Sequence, residues 1–404
     1  MAPTAPTAPT ANARDGGVLG RAPVRLGVML GAATVAVLTA GTASAATGWV
    51  TVPTVDPSPT GNTLTAVSAR TSTDAWAVGF FANPVDDTGR DGLAEHWNGQ
   101  QWQRFTVPST LRVDEKLLAV GGPAANDVWA VGSRNPTGFA STNPLIDHWN
   151  GTAWTNVPAP VATGGSKSHL DGVVAFSPTN AWAVGRSATA RALVEHWNGT
   201  AWSIVPVPDP TPPAGSTLAS AQLTAVSAVS PTDIWAVGSY SLGGIALTGL
   251  TLTMHYDGTV WTVVPSPNIP GGTTFNPERT VLNGVAAAGH NDVWAVGNIF
   301  TTDGTNAAAK AEVMHWNGTA WRFVPDAATT NLLSGVTAAS PTDVWAVGVN
   351  GTEHWNGTAW TAVAIPSAVA PNALLTGISA VPGTGETWTV GTNGGKSLAL
   401  HHTP

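Results

Sequence analysis

The feature that most constrains this chain is a phrase that returns along it: Trp-Ala-Val-Gly and then, after a gap, His-Trp-Asn-Gly-x-x-Trp. At its clearest it reads Asn180-Ala181-Trp182-Ala183-Val184-Gly185, followed by Glu195-His196-Trp197-Asn198-Gly199-Thr200-Ala201-Trp202. An Asn-Gly pair between two aromatic runs is a hairpin signal. It predicts a type I′ turn with positive φ at both turn residues, and so places the flanking tryptophans on paired antiparallel strands. Upstream, Ser230-Pro231-Thr232-Asp233 reads as a turn in which Pro presets φ and Asp bonds its own backbone. That turn joins the run Leu223 to Ala228 to the run Ile234 to Gly238. One repeat is therefore a meander of four short strands, A to D.

Anchored on the turn residue, the repeats fall at Asp74, Asp127, Asn180, Asp233, Asp292, Asp343 and Glu386, which makes seven units. Strand C carries a histidine in each: His96, His148, His196, His255, His315, His354 and His401. Strand D begins at a tryptophan in only six, Trp102, Trp154, Trp202, Trp261, Trp321 and Trp360. The missing strand D is at the other end of the chain, in Gly48-Trp49-Val50-Thr51-Val52-Pro53, while Leu398 to His402 reads as a strand C with nothing after it. The two pieces complete one unit. Short strands repeated every ~40 to 55 residues predict an all-β fold, a seven-bladed β-propeller of four-stranded antiparallel blades closed by pairing the N-terminal strand with the C-terminal blade. Two residues after each strand A leucine stands a small residue, Ala66, Ala119, Gly172, Ala225, Gly284, Gly335 or Gly377, as strands converging on an axis require. Strand D runs into Val-Pro in most units, and proline belongs on an edge strand, which it also blunts against unwanted pairing.

Residues 1–45 differ in kind. Arg21 and Arg25 precede an apolar run from Leu26 to about Ala40 and then Ala43-Ser44-Ala45, the pattern of a secretory signal peptide. The expectation is an exported monomer with residues 46–404 as the propeller, and membrane contact only through an uncleaved N-terminal segment, for which the run is short. The chain has no cysteine, so stability must come from sheet packing and tryptophan burial, and thiolate metal sites and cysteine nucleophiles are excluded. A net charge of -8 offers no basic stripe to a phosphate backbone, so no nucleic-acid partner is expected.

The repeated residues read first as structure. Equivalent positions of a propeller lie around a circle, so the seven histidines cannot converge on one metal ion, and each is expected to tie its blade to a backbone group or a turn acid. All 19 tryptophans fall at three repeat positions, which reads as packing between blades more readily than as sugar stacking. The Asn-Gly-Thr triplets serve the hairpin before they serve as glycosylation acceptors. No cofactor or metal is expected.

Variation is confined elsewhere. From the strand B glycine to the strand C histidine the separation is 17, 16, 11, 17, 18, 6 and 10 residues, whereas the A–B and C–D turns hardly change. The B–C loops share one face of a propeller with the D–A connections, and loops on a rigid scaffold are where binding resides. Candidate ligand-binding residues on that face are Asp86, Asp87, Arg90, Asp91, Arg134, Arg186, Arg191 and Tyr240, with Asp303, Lys310, Asp114, Glu115 and Lys116 beside them. No nucleophile-base arrangement or phosphate loop stands among them. The expected function is a non-catalytic scaffold for an extracellular protein or polysaccharide. The alternative is a glycan-acting hydrolase or lyase, which needs two carboxylates and an arginine to converge.

The phrases Asp-x-Trp-Ala-Val-Gly and His-Trp-Asn-Gly-x-x-Trp resemble the kelch-like propeller repeats of secreted bacterial proteins, and more broadly the galactose-oxidase-like superfamily, over residues 48–402. That resemblance implies the fold; galactose-oxidase chemistry would need a Cys-Tyr crosslink, which a chain without cysteine cannot form. The Gly-x-x-Trp of the hairpin also resembles the Asp-box of sialidase-like propellers, with tryptophan in most repeats where that motif has aspartate. Sialidase chemistry, as this second likeness implies it, needs an arginine cluster, a tyrosine and acidic partners, and the chain offers only Tyr240 and Tyr256.

Overall fold

The computed structural model describes residues 48–404 apart from 84–88, 111–112, 136–141, 161–166, 244–248, 269–278, 303–306, 328–331, 350, 370 and 372. All belong to the compact unit Ala45–Pro404. The secondary structure is almost entirely strand, in four-stranded antiparallel meanders. In chain order the first is Asn62–Thr71, Asp74–Ala82, Arg90–Trp97, Trp102–Phe105; the second Asp114–Ala124, Asp127–Asn135, Asn143–Trp149, Trp154–Asn156; the third His169–Ser177, Asn180–Arg186, Ala192–Trp197, Trp202–Ile204. The fourth is Thr217–Ser230, Asp233–Gly243, Gly249–Tyr256, Trp261–Val263; the fifth Arg279–Gly289, Asp292–Thr302, Ala307–Trp316, Trp321–Phe323; the sixth Leu333–Ser340, Asp343–Gly348, Gly351–Trp355, Trp360–Val363. The last joins Ala373–Ala380, Thr387–Asn393 and Lys396–Thr403 to Gly48–Val52, with Trp49 opposite His402 and Val52 opposite Ala399. A parallel bridge between Gly249 and Arg279 links the fourth and fifth meanders. The inner strands pack each against the next, and that of the last meander against that of the first.

Close approach of the inner strands explains the small residues. A Cβ on Gly377 would stand 2.6 Å from Ala66 Cα, and one on Gly284 would stand 3.1 Å from Gly335 Cα. Each inner strand also carries a bulge at this point, as between Leu64 and Ala66, Leu117 and Ala119, or Leu223 and Ala225. The bulge accounts for the strand B glycine, because the extra residue swings a carbonyl into the space a side chain would need. A Cβ on Gly79 would collide with the carbonyl of Thr63, and on Gly238 with that of Gln222.

Two turns differ from expectation. The Asn-Gly connection is a four-residue loop rather than a two-residue type I′ turn: Trp97 pairs with Trp102, and Asn98 N donates to Gln101 O at 3.3 Å. Only Gly99 takes a positive φ, at 90°. The Asn98 side-chain oxygen accepts from the backbone of Gln100 and Gln101, both at 3.0 Å, so the asparagine is there as an acceptor and has no need of the left-handed region. Asp257 makes the same pair of bonds in the fourth repeat, where an aspartate oxygen does as well. In the Ser-Pro-Thr-Asp turn the serine closes the turn, Thr232 N donating to Ser230 Oγ at 3.2 Å. Asp233 is left to receive His255 Nε2 at 2.8 Å.

The same link from the strand C histidine to the turn acid, or in the third repeat the turn amide, is made in every repeat, from His96 to Asp74, His148 to Asp127, His196 to Asn180, His315 to Asp292, His354 to Asp343 and His401 to Glu386. Each joins two adjacent strands of one sheet, and the imidazole lies against the strand B tryptophan, as His148 does with ring centroids 4.2 Å from Trp129. That tryptophan packs in turn on the strand C and strand D aromatics of the next meander. Trp129 meets Trp197 and Trp202, and Trp388 at the end of the chain meets Trp97 and Trp102 near its start. In the last meander His402 takes the place of the strand C tryptophan, against Trp345 and Trp49. The strand B and D indoles meet nearly edge to face, at 87° for Trp129 and Trp202. Most of their N–H groups find no oxygen or nitrogen acceptor, and this geometry offers an aromatic face instead.

Candidate functional site

The face formed by the B–C loops and D–A connections is assembled from strand ends, so its side chains are held in pairs by the register beneath them. Arg90, at the start of its strand, places Nε 3.3 Å from Asp114 Oδ1 of the next meander and lies over the Phe80 ring. Lys116 approaches the other oxygen of Asp114 at 3.6 Å. Asp91 accepts from Asn83 Nδ2 at 3.0 Å. Arg134 donates to Glu115 Oε1 at 2.6 Å, and Glu115 is only 1 % exposed. Arg191 reaches Asp209 Oδ2 at 3.2 Å and the carbonyls of Ala190 and Ala219. Arg186 ends its strand opposite His169. Asp86, Asp87 and Asp303 lie outside the described residues.

The candidates are thus spread around the face. Arg90 and Arg134 meet acids at or next to the boundary of the first and second meanders, Arg191 meets its acid between the third and fourth, and the Tyr240 ring packs at that same third–fourth boundary. Among the described residues no ion pair on this face joins two carboxylates to one arginine, although Asp147 lies within electrostatic reach of both Glu115 and Arg134, and no group of three or more histidines and acids is placed to hold a metal.

A cavity of about 280 Å³ is bordered by Ser220, Gln222, Ser239, Ser241 and Arg279; Tyr240 also touches it, but its ring packs on the other side of the sheet, with Ala221 against the cluster shared with the third meander. The strands that build it are long: Thr217–Ser230 has 14 residues and Asp233–Gly243 has 11, against 8 and 6 for the equivalent pair of the sixth meander. The extra length carries Ser220 and Ser241 beyond the repeated core, where their hydroxyls meet at 2.6 Å. Burial pushes the Tyr240 phenol above its ordinary pKa, so it stays a hydrogen-bond donor. A second cavity, about 240 Å³, runs along the inner strands and is lined by equivalent positions of all of them, Asp171 and Asn283 included. Asn283 Nδ2 and the Thr65, Thr224 and Thr376 hydroxyls there donate to the strand A leucine carbonyl of the neighbouring strand, as Thr224 does to Leu282 at 2.6 Å. Asp171, unable to donate as a carboxylate, pairs with His169 at 3.1 Å.

Sequence reasoning missed a set of buried acids. Glu95, Asp147, Glu195 and Glu353 stand just before the strand C histidine, and all are fully buried. Glu312 holds the place that Leu93, Leu145 and Leu193 hold opposite a strand B glycine in other repeats. Desolvation raises the Glu95, Glu195 and Glu312 carboxyls to about 8 and Asp147 to about 7. Glu95 accepts from Val55 N and Asp147 from Asn156, whereas neither oxygen of Glu195 or Glu312 has a hydrogen-bond partner. The Glu-His dipeptide at 95, 195 and 353 was the signal in the sequence.

No protein-family model matches the sequence, and no curated protein matches it. Solved structures do. YCF48 bound to a D1 peptide is similar at 15% identity with a TM-score of 0.54, over 88% of this chain and 97% of that one. A virginiamycin B lyase from Staphylococcus aureus with quinupristin is similar at 10% identity with a TM-score of 0.55, over 88% of this chain and 99% of that one. The GH74 xyloglucanase from Xanthomonas campestris is similar at 13% identity with a TM-score of 0.54, over 87% of this chain and 53% of that one. At these identities the likeness speaks for the fold alone, and with the all-β, four-stranded meanders it makes this chain a β-propeller.

Proposed function

We propose that the chain is an exported, seven-bladed propeller with kelch-like repeats, a non-catalytic scaffold that binds an extracellular polysaccharide or protein through its B–C and D–A face. The blade count rests on the seven repeats. Closure is supported by the pairing of Trp49 with His402 and by the packing of Trp388 on Trp97 and Trp102. Export rests on the Arg25, Leu26 to Ala40 and Ala43-Ser44-Ala45 pattern.

The observation that carries the binding reading is the disposition of charge on the irregular face. Arg90 and Lys116 share Asp114, Arg134 is engaged by Glu115 and Arg191 by Asp209, and among the described residues the cavity beside Arg279 is lined by no carboxylate. Glycan cleavage by a pair of acids needs both at one point. The names of the similar structures span peptide binding and enzymes, so they favour neither reading. The test is a glycan array together with a pull-down from the secreted fraction, using the mature chain. Binding without turnover supports the scaffold; glycan turnover lost in Arg90→Gln or Asp91→Asn, with no partner retained, overturns it.

A further inference from the structure

The cavity of about 240 Å³ along the inner strands is lined by described residues throughout, and Asp171 is the one charged residue in that lining. Its place in the repeat gives the charge its setting. The residue after the strand A leucine is the extra residue of the bulge, and in four meanders its side chain donates to the leucine carbonyl of the next meander. Thr65 donates to Leu117 O at 2.8 Å, Thr224 to Leu282 O at 2.6 Å, Asn283 to Leu333 O at 2.8 Å and Thr376 to Leu64 O at 2.7 Å. The series breaks at two adjacent positions. Leu118 has no proton to give the Leu170 carbonyl, and Asp171, as a carboxylate, has none for that of Leu223.

Two carbonyls and a carboxylate are therefore neighbours with few donors among them. Leu170 O belongs to the peptide just before Asp171, and Leu223 O is the carbonyl that a donor at 171 would serve. Among the described residues only His169 approaches the carboxylate, its Nε2 3.1 Å from Oδ2, which leaves Oδ1. The sixth meander has a further gap, where Ser334 bonds no carbonyl among the described residues, but no charge stands beside it. A group of acceptors bearing one negative charge calls for a ligand that brings several donors and one positive charge. A primary ammonium has three N–H groups and no acceptor. The net charge of -8 favours the arrival of such a cation.

The walls bear on what carries the ammonium. Apart from Leu118, the positions level with Asp171 are Thr65, Thr224, Asn283, Ser334 and Thr376. Oxygens whose own protons are already engaged accept from ring hydroxyls, whereas the alkyl stem of a lysine would find little apolar surface at this level. The volume is just under the ~300 Å³ at which small-molecule sites begin, room for one sugar ring. Asp171 is the third residue of His169–Ser177, so it lies toward the D–A connections, on the side of the irregular face.

We propose that this cavity seats an amino-sugar residue with a free amine, its ammonium bonded to Asp171 Oδ1 and the Leu170 and Leu223 carbonyls. The inference rests on the scaffold reading above and names its ligand class. The experiment is titration calorimetry of the mature chain, at a pH where the amine is charged, with a glucosamine oligosaccharide, its N-acetylated form, the glucose counterpart and a lysine-containing peptide. The glucosamine form is expected to bind, and acetylation, replacement of the amine by hydroxyl, or Asp171→Asn to weaken binding at least tenfold, as loss of a charge-assisted contact does. Asp171→Asn is expected to fold as wild type does, because Asn283 shows an asparagine donating from the equivalent position. Leu118→Thr, which supplies a donor to Leu170 O, is expected to give a smaller loss. Equal binding of the amine form and either neutral form, tighter binding of the lysine peptide, unchanged affinity in Asp171→Asn, or no binding of any of the four overturns the site. A partner from the array or pull-down that binds wild type and Asp171→Asn alike leaves the scaffold standing while the site falls. Absence of every partner sinks both.

Discussion

The two ends of the strands follow different rules. At the end bearing the A–B turns and C–D hairpins, each repeat makes the same bonds: a turn acid or amide to the strand C histidine, the histidine against a tryptophan, that tryptophan onto the next meander. At the other end the chain solves each boundary separately, with an arginine on aspartate here, an arginine on a buried glutamate there, and an open cavity where the strands overhang. Repetition at one end supplies the rigidity that lets the other vary. Substitutions at the first end should therefore cost stability and leave binding intact, and those at the second the reverse.

The largest effect is expected at the shared tryptophans. Trp129 and Trp388 are almost fully buried and occupy equivalent positions, one between the second and third meanders, the other between the last and first. Trp129→Ala and Trp388→Ala should each lower unfolding free energy by about 3–5 kcal/mol in denaturant titration. Equal losses would mean that the last boundary is packed as firmly as an internal one. A much smaller loss for Trp388 would show the ring open there.

Next comes the acid beneath the histidine. Asp127 is buried and receives His148 Nε2 at 2.8 Å, so Asp127→Ala leaves a part-buried imidazole without its acceptor. A loss of about 1–3 kcal/mol is expected, as for other orphaned buried groups, with partner binding unchanged. If affinity falls with stability, the two ends are coupled and the comparison fails.

How much of this was legible follows from what repeats. Strand positions and the meander could be read because Trp-Ala-Val-Gly and His-Trp-Asn-Gly-x-x-Trp recur often enough to align themselves, and the lone Trp49 strand stood out as the piece they lacked. Turn geometry could not, because Asn-Gly serves a type I′ turn and an asparagine-capped four-residue loop equally well. The strand B glycine was visible, but its cause lies in the bulge on the partner strand. Tyr240 was found because it follows the repeated phrase by two residues, whereas Arg279 precedes its strand's first repeated residue, Leu282, and so carried no signal. The buried acids were not singled out, because an acidic residue on a short strand ordinarily faces solvent.

Those acids give the molecule a pH response. Glu195 is wholly buried without a hydrogen-bond partner, and its carboxyl is raised to about 8, so the folded state keeps a proton that the unfolded chain gives up in the ordinary glutamate range. Its stabilising contribution is complete at acid pH and is lost as pH rises toward and through 8. Histidines 96, 196, 401 and 402 are shifted the opposite way by burial, and they oppose this trend only as pH falls below their ordinary range near 6.5. Between pH 6.5 and 8 the carboxyl slope is therefore exposed. Glu195→Gln should remove about 1–2 kcal/mol of the stability lost over that interval, read from denaturation midpoints at each pH. An unchanged slope would mean the carboxylate is solvated in the folded protein.

The smallest effect is expected at the irregular end, and its smallness is the point. Arg191 and Asp209 are an exposed pair, the arginine side chain 37% and the aspartate 52% accessible, and pairs of this kind contribute about 0–1 kcal/mol. Arg191 also donates to the carbonyls of Ala190 and Ala219, so Arg191→Gln tests more than a surface attraction. If the strands beneath hold the face, as the long register of Thr217–Ser230 with Asp233–Gly243 implies, the variant should unfold within about 0.5 kcal/mol of wild type and keep its affinity for the partner. A loss like that of Asp127→Ala would mean that the side-chain pairs of this face themselves hold it in shape, and its freedom to vary from one boundary to the next would then need another explanation.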